Sequence, residues 1–297
     1  MASTWTCDDA FISFRYARNL AEGRGLVWNP GERVEGYTDF LWMVLNAIGA
    51  RVHANPLTWV RGLGALSGVG LLAASWWLTA RLAPGRAGVA AWTVFALAMS
   101  APVAAWTLGG LETPLFAALA TAGLALAAGL AADVPHRRGR VMVTGTVLAL
   151  ASLTRPEGAL WFAVTFAVLA AFRARAPGGR RDLAWLLLGY AVMVVPFVAW
   201  RWRYYGYPLP NTYYVKFSGA RRDVWLRGGG YLLLALRELN PLLVLLTLVA
   251  VIRPAPGPAG LDEATERSRR AAFAFGRVLL PVFVLYVASV GGDFLDL

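Results

Sequence analysis

Long apolar runs, separated by short loops that carry arginine, set the pattern of this chain. Runs at 61–82, 87–106, 113–132, 141–153, 159–172, 183–200, 231–252 and 273–290 predict about eight membrane spans. The fourth and fifth runs are short, and the charged turn Thr154-Arg155-Pro156-Glu157 joins them. They predict a helical hairpin whose tip is buried in protein rather than lipid. An earlier apolar run starts at Phe40 and reaches only to about Ala50, where Arg51 and His53 interrupt it. A span needs about 20 residues, so this run predicts a re-entrant or interfacial helix, with Tyr37 and Trp42 at headgroup depth.

The arginines orient these runs. One set of loops holds Arg81 and Arg86, then His136 to Arg140, then Arg173 to Arg181, then Arg253 with Arg267 to Arg270. These alternate and read as cytoplasmic under the positive-inside rule. The opposite set holds residues 8–61, Gly109 to Glu112, Arg155 to Glu157, the long 201–230 loop and Gly291 to Phe294. The alternation holds only if the Phe40 run does not cross, which agrees with its length. Residues 1–60 therefore read as one extracytoplasmic unit, and 61–297 as a transmembrane helix bundle, all α.

Composition supports this class. The 297 residues are 58% hydrophobic and 15% charged, which describes a polytopic membrane protein rather than a soluble domain. The formal net charge of +11 falls mostly in loops, so it implies no nucleic acid. Cys7 is the only cysteine, which excludes an internal disulfide and a thiolate metal cluster. His53 and His136 form no metal-binding pattern. Residues 1–6 contain no apolar stretch and read as free of a cleavable signal peptide. An outer location for Asp8 then implies a span upstream of this chain.

Chemistry gathers on the outer side, in Asp8, Asp9, Glu35, Asp39, Glu112, Glu157 and Asp293 with Arg15, Arg155, Arg201, Arg203 and Lys216. Cations there run against the topological bias, and phosphate binding is one reason for them. The tyrosines and Asn211 of the loop before Lys216 suit a sugar, because rings stack on its C–H faces and carboxylates take its hydroxyls. An interfacial tyrosine belt with snorkelling arginines fits the same residues. In Asp8-Asp9-Ala10-Phe11-Ile12-Ser13-Phe14-Arg15-Tyr16, a helix capped by either aspartate puts Asp8, Ile12, Arg15 and Asn19 on one face, with Tyr16 beside them. That face offers a base and an anion clamp, or simply a cap and a surface salt bridge. Glu112 before Thr113-Pro114 and Glu157 after Pro156 also stand where helices start, so both read equally as dipole-stabilised termini.

Five blocks occur in order: Asp8 to Ala17 with Gly25 to Thr38, then Gly110-Leu111-Glu112-Thr113-Pro114, Leu153-Thr154-Arg155-Pro156-Glu157, Pro210-Asn211-Thr212-Tyr213-Tyr214-Val215-Lys216, and Gly291-Gly292-Asp293-Phe294. Together they resemble the GT-C fold glycosyltransferases, and most of all the mycobacterial terminal β-arabinofuranosyltransferase family. Such enzymes begin with a span before the acidic loop and continue past the last block, so the resemblance implies a chain truncated at both ends. It also implies a multi-pass enzyme of the bacterial inner (plasma) membrane. Its active site would face outward and move a sugar, with arabinofuranose the first expectation, from a polyprenyl-phosphate donor to a glycan or lipid acceptor. Transfer would invert the anomeric centre, with Asp8 or Asp9 taking the acceptor proton. Arg155, Lys216 and Arg15 would meet the lipid phosphate, and Tyr16, Glu112, Glu157, Asn211 and Asp293 would line the donor or acceptor pocket. Some of these enzymes use a divalent cation and others do not, and no ligand set here assigns one. Two other classes fit parts of the pattern. One is a lipid-linked sugar flippase, which needs polar residues at mid-membrane where this chain is almost purely apolar. The other is an inactive truncated relative acting as a membrane scaffold.

Overall fold

A computed structural model describes residues 6–216, 221–238, 248–249, 252–253 and 256–292. Among these the chain is helical throughout, with no strand. The elements are α1 (Ala10–Ala21), α2 (Phe40–Arg51), α3 (Pro56–Leu82), α4 (Ala87–Ala98), α5 (Ala101–Leu108), α6 (Thr113–Ala128), α7 (Arg138–Thr154), α8 (Glu157–Arg173), α9 (Gly179–Tyr205), α10 (Asn211–Lys216), α11 (Arg221–Glu238) and α12 (Glu263–Val290).

The expectation of about eight spans is not met. Among the described residues three helices are long and apolar enough to cross a membrane: α3, α9 and α12, of 27, 27 and 28 residues. A fourth crossing follows if α4 and α5 count as one broken span, bent by 59°. The bend falls at Met99-Ser100, where a proline in the first turn of α5 restarts the helix. The other runs fail on length. With 16 residues α6 is about 24 Å long, and with 17 residues each α7 and α8 reach about 26 Å, short of a roughly 30 Å hydrocarbon core. The helix in the run expected at 231–252 starts earlier, at Arg221, and bears charge at both ends. Residues 239–247 and 250–251 of that run lie outside the described residues.

The Phe40 run is a 12-residue helix, as its length requires. Trp42 within it and Tyr37 before it are covered by protein. Trp42 and Met43 are fully buried, and Tyr37 nearly so. Trp42 Nε1 donates to the Gly110 carbonyl at 3.2 Å, so the ring is a strut between α2 and the α5–α6 turn. The main core lies among α6, α7, α8, α9 and α12, around Leu148, Leu169, Leu186 and Phe275. A Cβ on Gly145 of α7 would run into the Leu186 carbonyl of α9, and one on Gly189 into the Met142 carbonyl. These two glycines let the backbones of α7 and α9 touch, the small-residue contact common between membrane helices.

The two predicted sets of loops collect at opposite ends. At one end Arg173, 1% exposed, donates to the Ala132 carbonyl at 2.6 Å and to Asp182 at 2.8 Å. Arg267 of α12 pairs with Asp133 and donates to the Phe172 carbonyl, while Arg269 donates to the Leu82 carbonyl. These arginines do more than set orientation: they satisfy carbonyls at helix ends, where the dipole favours a cation.

Candidate functional site

At the other end, the N-terminal segment is pinned onto the bundle. The Cys7 amide donates to the Gly109 carbonyl at 2.9 Å, and Ala10 is fully buried against Gly110. Gly110 has φ +91°, and a Cβ there would press on Ala10 at 3.1 Å. The start of α1 is thereby fixed over the turn that leads into Glu112. Asp9 occupies the N-cap position but makes no side-chain cap bond. Asp8 Oδ1 instead accepts the Asp9 amide at 3.0 Å. Both carboxylates face solvent.

The turn under α1 leads into a knot of charge. Arg155 Nη1 donates to Glu112 at 2.9 Å, and its Nε and Nη2 donate to the two Glu157 oxygens at 3.3 Å each. The α7–α8 turn supplies both Arg155 and Glu157, and the hairpin tip is only partly covered by protein, with Pro156 exposed. Tyr286 of α12 lies beside this pair. Asp39, at the start of α2, accepts from Ser13 Oγ of α1 at 2.7 Å and senses both Arg155 and Asp9 electrostatically. Carboxylates outnumber the guanidinium here. Burial pushes Glu112 up to about 7, with Arg155 opposing and Asp39 reinforcing. Burial likewise raises Asp39, against the Ser13 bond and Arg155. The site can therefore hold protons as well as accept hydroxyl hydrogens near neutral pH.

A second junction ties the N-terminal segment to α9. Arg201 Nε donates to Glu35 at 3.0 Å, and burial pushes Glu35 up to about 7 despite that cation. Tyr37 and Tyr205 hydroxyls meet at 3.1 Å, and Tyr205 donates onward to the Leu26 carbonyl at 2.7 Å. The Asn211 amide donates to the Glu35 carbonyl at 3.1 Å, which sets α10 beside the same loop.

Of the residues expected at a site, Glu112, Arg155 and Glu157 make direct contact, and Asp9, next to Asp8 in the chain, is tied to them electrostatically through Asp39. Arg15 and Tyr16 point elsewhere. Arg15 donates to the Trp28 carbonyl and to Asn29 Oδ1, with its guanidinium 4.3 Å over the Trp28 ring. Tyr16 is 1% exposed, and its hydroxyl donates to the Val34 carbonyl and accepts the Gly36 amide, so it is a core strut. Asn211 contributes through its backbone. Lys216 ends α10, its side chain outside the description, and Asp293 lies outside the described residues. Of the loop tyrosines, Tyr205 is buried, while Tyr207, Tyr213 and Tyr214 are exposed and packed on one another.

The Cys7 thiol and the Asp8 and Asp9 carboxylates have ligand atoms within 4.8 Å of one another. Burial raises the Cys7 thiol, which keeps it protonated. Two carboxylates remain for a hard cation, which takes about six or more oxygens, so this set fits one only in part. Sequence reasoning left Ser13 and Asp39 out of the site. The available signal was Asp39 directly before an apolar helix, with Ser13 one turn after the acidic pair.

The geometry defines a helical membrane protein with a carboxylate-rich cluster at one end of the bundle. No family model and no solved structure matches the chain. The terminal β-(1→2)-arabinofuranosyltransferase of Mycobacterium tuberculosis is 46% identical over 48 residues, a match covering 16% of this chain and 8% of that protein. This similarity supports a distant relationship to a glycosyltransferase.

Proposed function

We propose that the chain is a GT-C type membrane glycosyltransferase. It moves a sugar, arabinofuranose in the first instance, from a polyprenyl-phosphate donor to a cell-envelope glycan on the extracytoplasmic side of a bacterial inner membrane. The observation that carries this reading is the Cys7–Gly109 bond, which fixes the acidic start of α1 over the turn leading into the Glu112–Arg155–Glu157 knot. In one displacement the acceptor oxygen attacks the anomeric carbon as the bond to the donor phosphate oxygen breaks. The electron pair leaves with the phosphate, and Asp8 or Asp9 takes the acceptor proton. Exposed carboxylates at the start of α1 suit that role, since an acceptor hydroxyl can reach them from solvent. Glu112, Glu157 and Asp39 suit sugar hydroxyls, and Arg155 fixes the two glutamates in place. Their excess over Arg155 also disfavours a flippase route for a phosphate through the knot.

The test is transfer from polyprenyl-phospho-arabinose to an arabinan oligosaccharide by the protein, in its natural reading frame, in nanodiscs. Asp8→Asn or Asp9→Asn should abolish transfer while donor binding survives. Full activity in both variants would refute the base assignment. Sugar crossing the bilayer without transfer would favour a carrier.

A further inference from the structure

Most cations of the N-terminal end are already engaged. Arg155 is held by two carboxylates, Arg201 by Glu35, and Arg15 by Trp28 and Asn29. Arg33 and Arg203 differ. Among the described residues neither has a carboxylate partner. Both line a cavity of about 480 Å³ with Trp200 and Tyr204, and no acidic residue lines it. Ligand clefts run to about 300–1,000 Å³, so the space suits a headgroup rather than an ion alone.

The walls are built rather than incidental. Trp200, Arg203 and Tyr204 stand at i, i+3 and i+4 on one face of α9. Arg201 leaves the cavity to them by turning to Glu35. The Trp200 and Tyr204 rings stack at 5.2 Å and 18°. Tyr204 is fixed from behind, since its hydroxyl accepts the Leu26 amide at 3.2 Å. Arg33 reaches over its ring from the other side, 4.8 Å from the centroid. Two guanidiniums with ten N–H donors between them and no countercharge make a receptor for a phosphate. The position adds the rest of the ligand. The cavity lies in the last turns of a helix long enough to cross the membrane, beside the exposed Trp202 ring. That is headgroup depth. Trp200 also packs on Phe40 at 5.7 Å, and Phe40 directly follows Asp39 of the carboxylate knot.

We propose that Arg33 and Arg203, flanked by Trp200 and Tyr204, seat the phosphate of an isoprenoid lipid phosphate. This rests on the glycosyl-transfer reading for the identity of the lipid. It moves the phosphate contact from Arg155, whose charge is spent, to the arginine pair.

The test uses the 297-residue chain in phosphatidylcholine nanodiscs and farnesyl phosphate as the probe. The Arg33→Gln/Arg203→Gln double variant should weaken farnesyl phosphate binding at least tenfold. Farnesol binding should be equal in both proteins, and so should the unfolding temperature, because both side chains are exposed. Unchanged farnesyl phosphate affinity in the double variant would overturn the proposal. So would inorganic phosphate binding as tightly as farnesyl phosphate, which marks a free-phosphate site, or phosphatidylglycerol losing affinity to the same degree, which marks a bulk-lipid site. The two readings fail separately. Lost lipid-phosphate binding with no sugar transfer by the wild type leaves the site standing and removes the transferase. Wild-type transfer rates in the double variant, with transfer abolished by Asp8→Asn or Asp9→Asn, remove the site and keep the transferase.

Discussion

Arg155 donates to Glu112 at 2.9 Å across 43 residues of chain, and the glutamate is almost wholly enclosed. Removing the guanidinium leaves a buried carboxyl with no cation to face. Arg155→Ala is expected to cost about 3 kcal/mol of stability, read as a lower unfolding temperature in detergent, whereas Glu112→Gln, which keeps the acceptor oxygen, costs about 1 kcal/mol. Equal losses in both variants would mean that the pair does not act as described.

Glu35 and Glu112 stand at about 7 in the folded chain against an ordinary value of 4.5. Between those values the folded chain holds protons that the unfolded chain has released. Their contribution to stability is full below about pH 4.5 and is lost as pH rises through 7. The unfolding temperature should fall across that window. Glu35→Gln should flatten the slope, and an unchanged slope would count against burial of Glu35 as its cause.

The opposite end of the bundle supplies a control. Arg173 meets Asp182 and the Ala132 carbonyl out of reach of water. Arg173→Met should cost roughly 3–5 kcal/mol, because it strands Asp182 in the interior. Farnesyl phosphate affinity of the folded fraction should stay at the wild-type level, as scored by binding per folded molecule after thermal titration.

Gly145 and Gly189 hold α7 against α9 at backbone contact. Gly145→Leu forces those backbones apart and should cost about 3 kcal/mol or more, since no rotamer clears a carbonyl. Gly139→Ala, in the first turn of the same helix with open space around its Cα, should leave the unfolding temperature within about 1 °C. Similar shifts in both variants would argue against the close approach.

The helical class, the grouping of loops at two ends and the Arg155 turn were legible from apolar runs and arginine positions, because both follow from solvent preference along a single chain. The number of crossings was not. Hydropathy fixes where a run is apolar, but Pro102 breaks one run into two helices, and α6 to α8 end within about 6 Å of the needed length. The carboxylate pair and Glu112 could be named from their place at helix starts. Tyr16 could not be told from a ligand-facing residue, since its role depends on the Val34 and Gly36 backbone groups, which no helical period reports. Asp39 was visible as an acid but joined the knot only through Ser13, a contact between two elements.

Glu35 waits for Arg201, which comes 166 residues later in the chain. At about 5–20 residues per second, a ribosome takes on the order of ten seconds or more to supply it. Until α9 emerges, the N-terminal segment has its own helices but neither the Arg201 nor the Tyr205 contact. The junction between the N-terminal segment and α9 is therefore a late product of synthesis. A chain stalled before residue 201 would carry Glu35 without its Arg201 partner, so this junction closes only once α1 to α8 have been made and α9 has nearly followed.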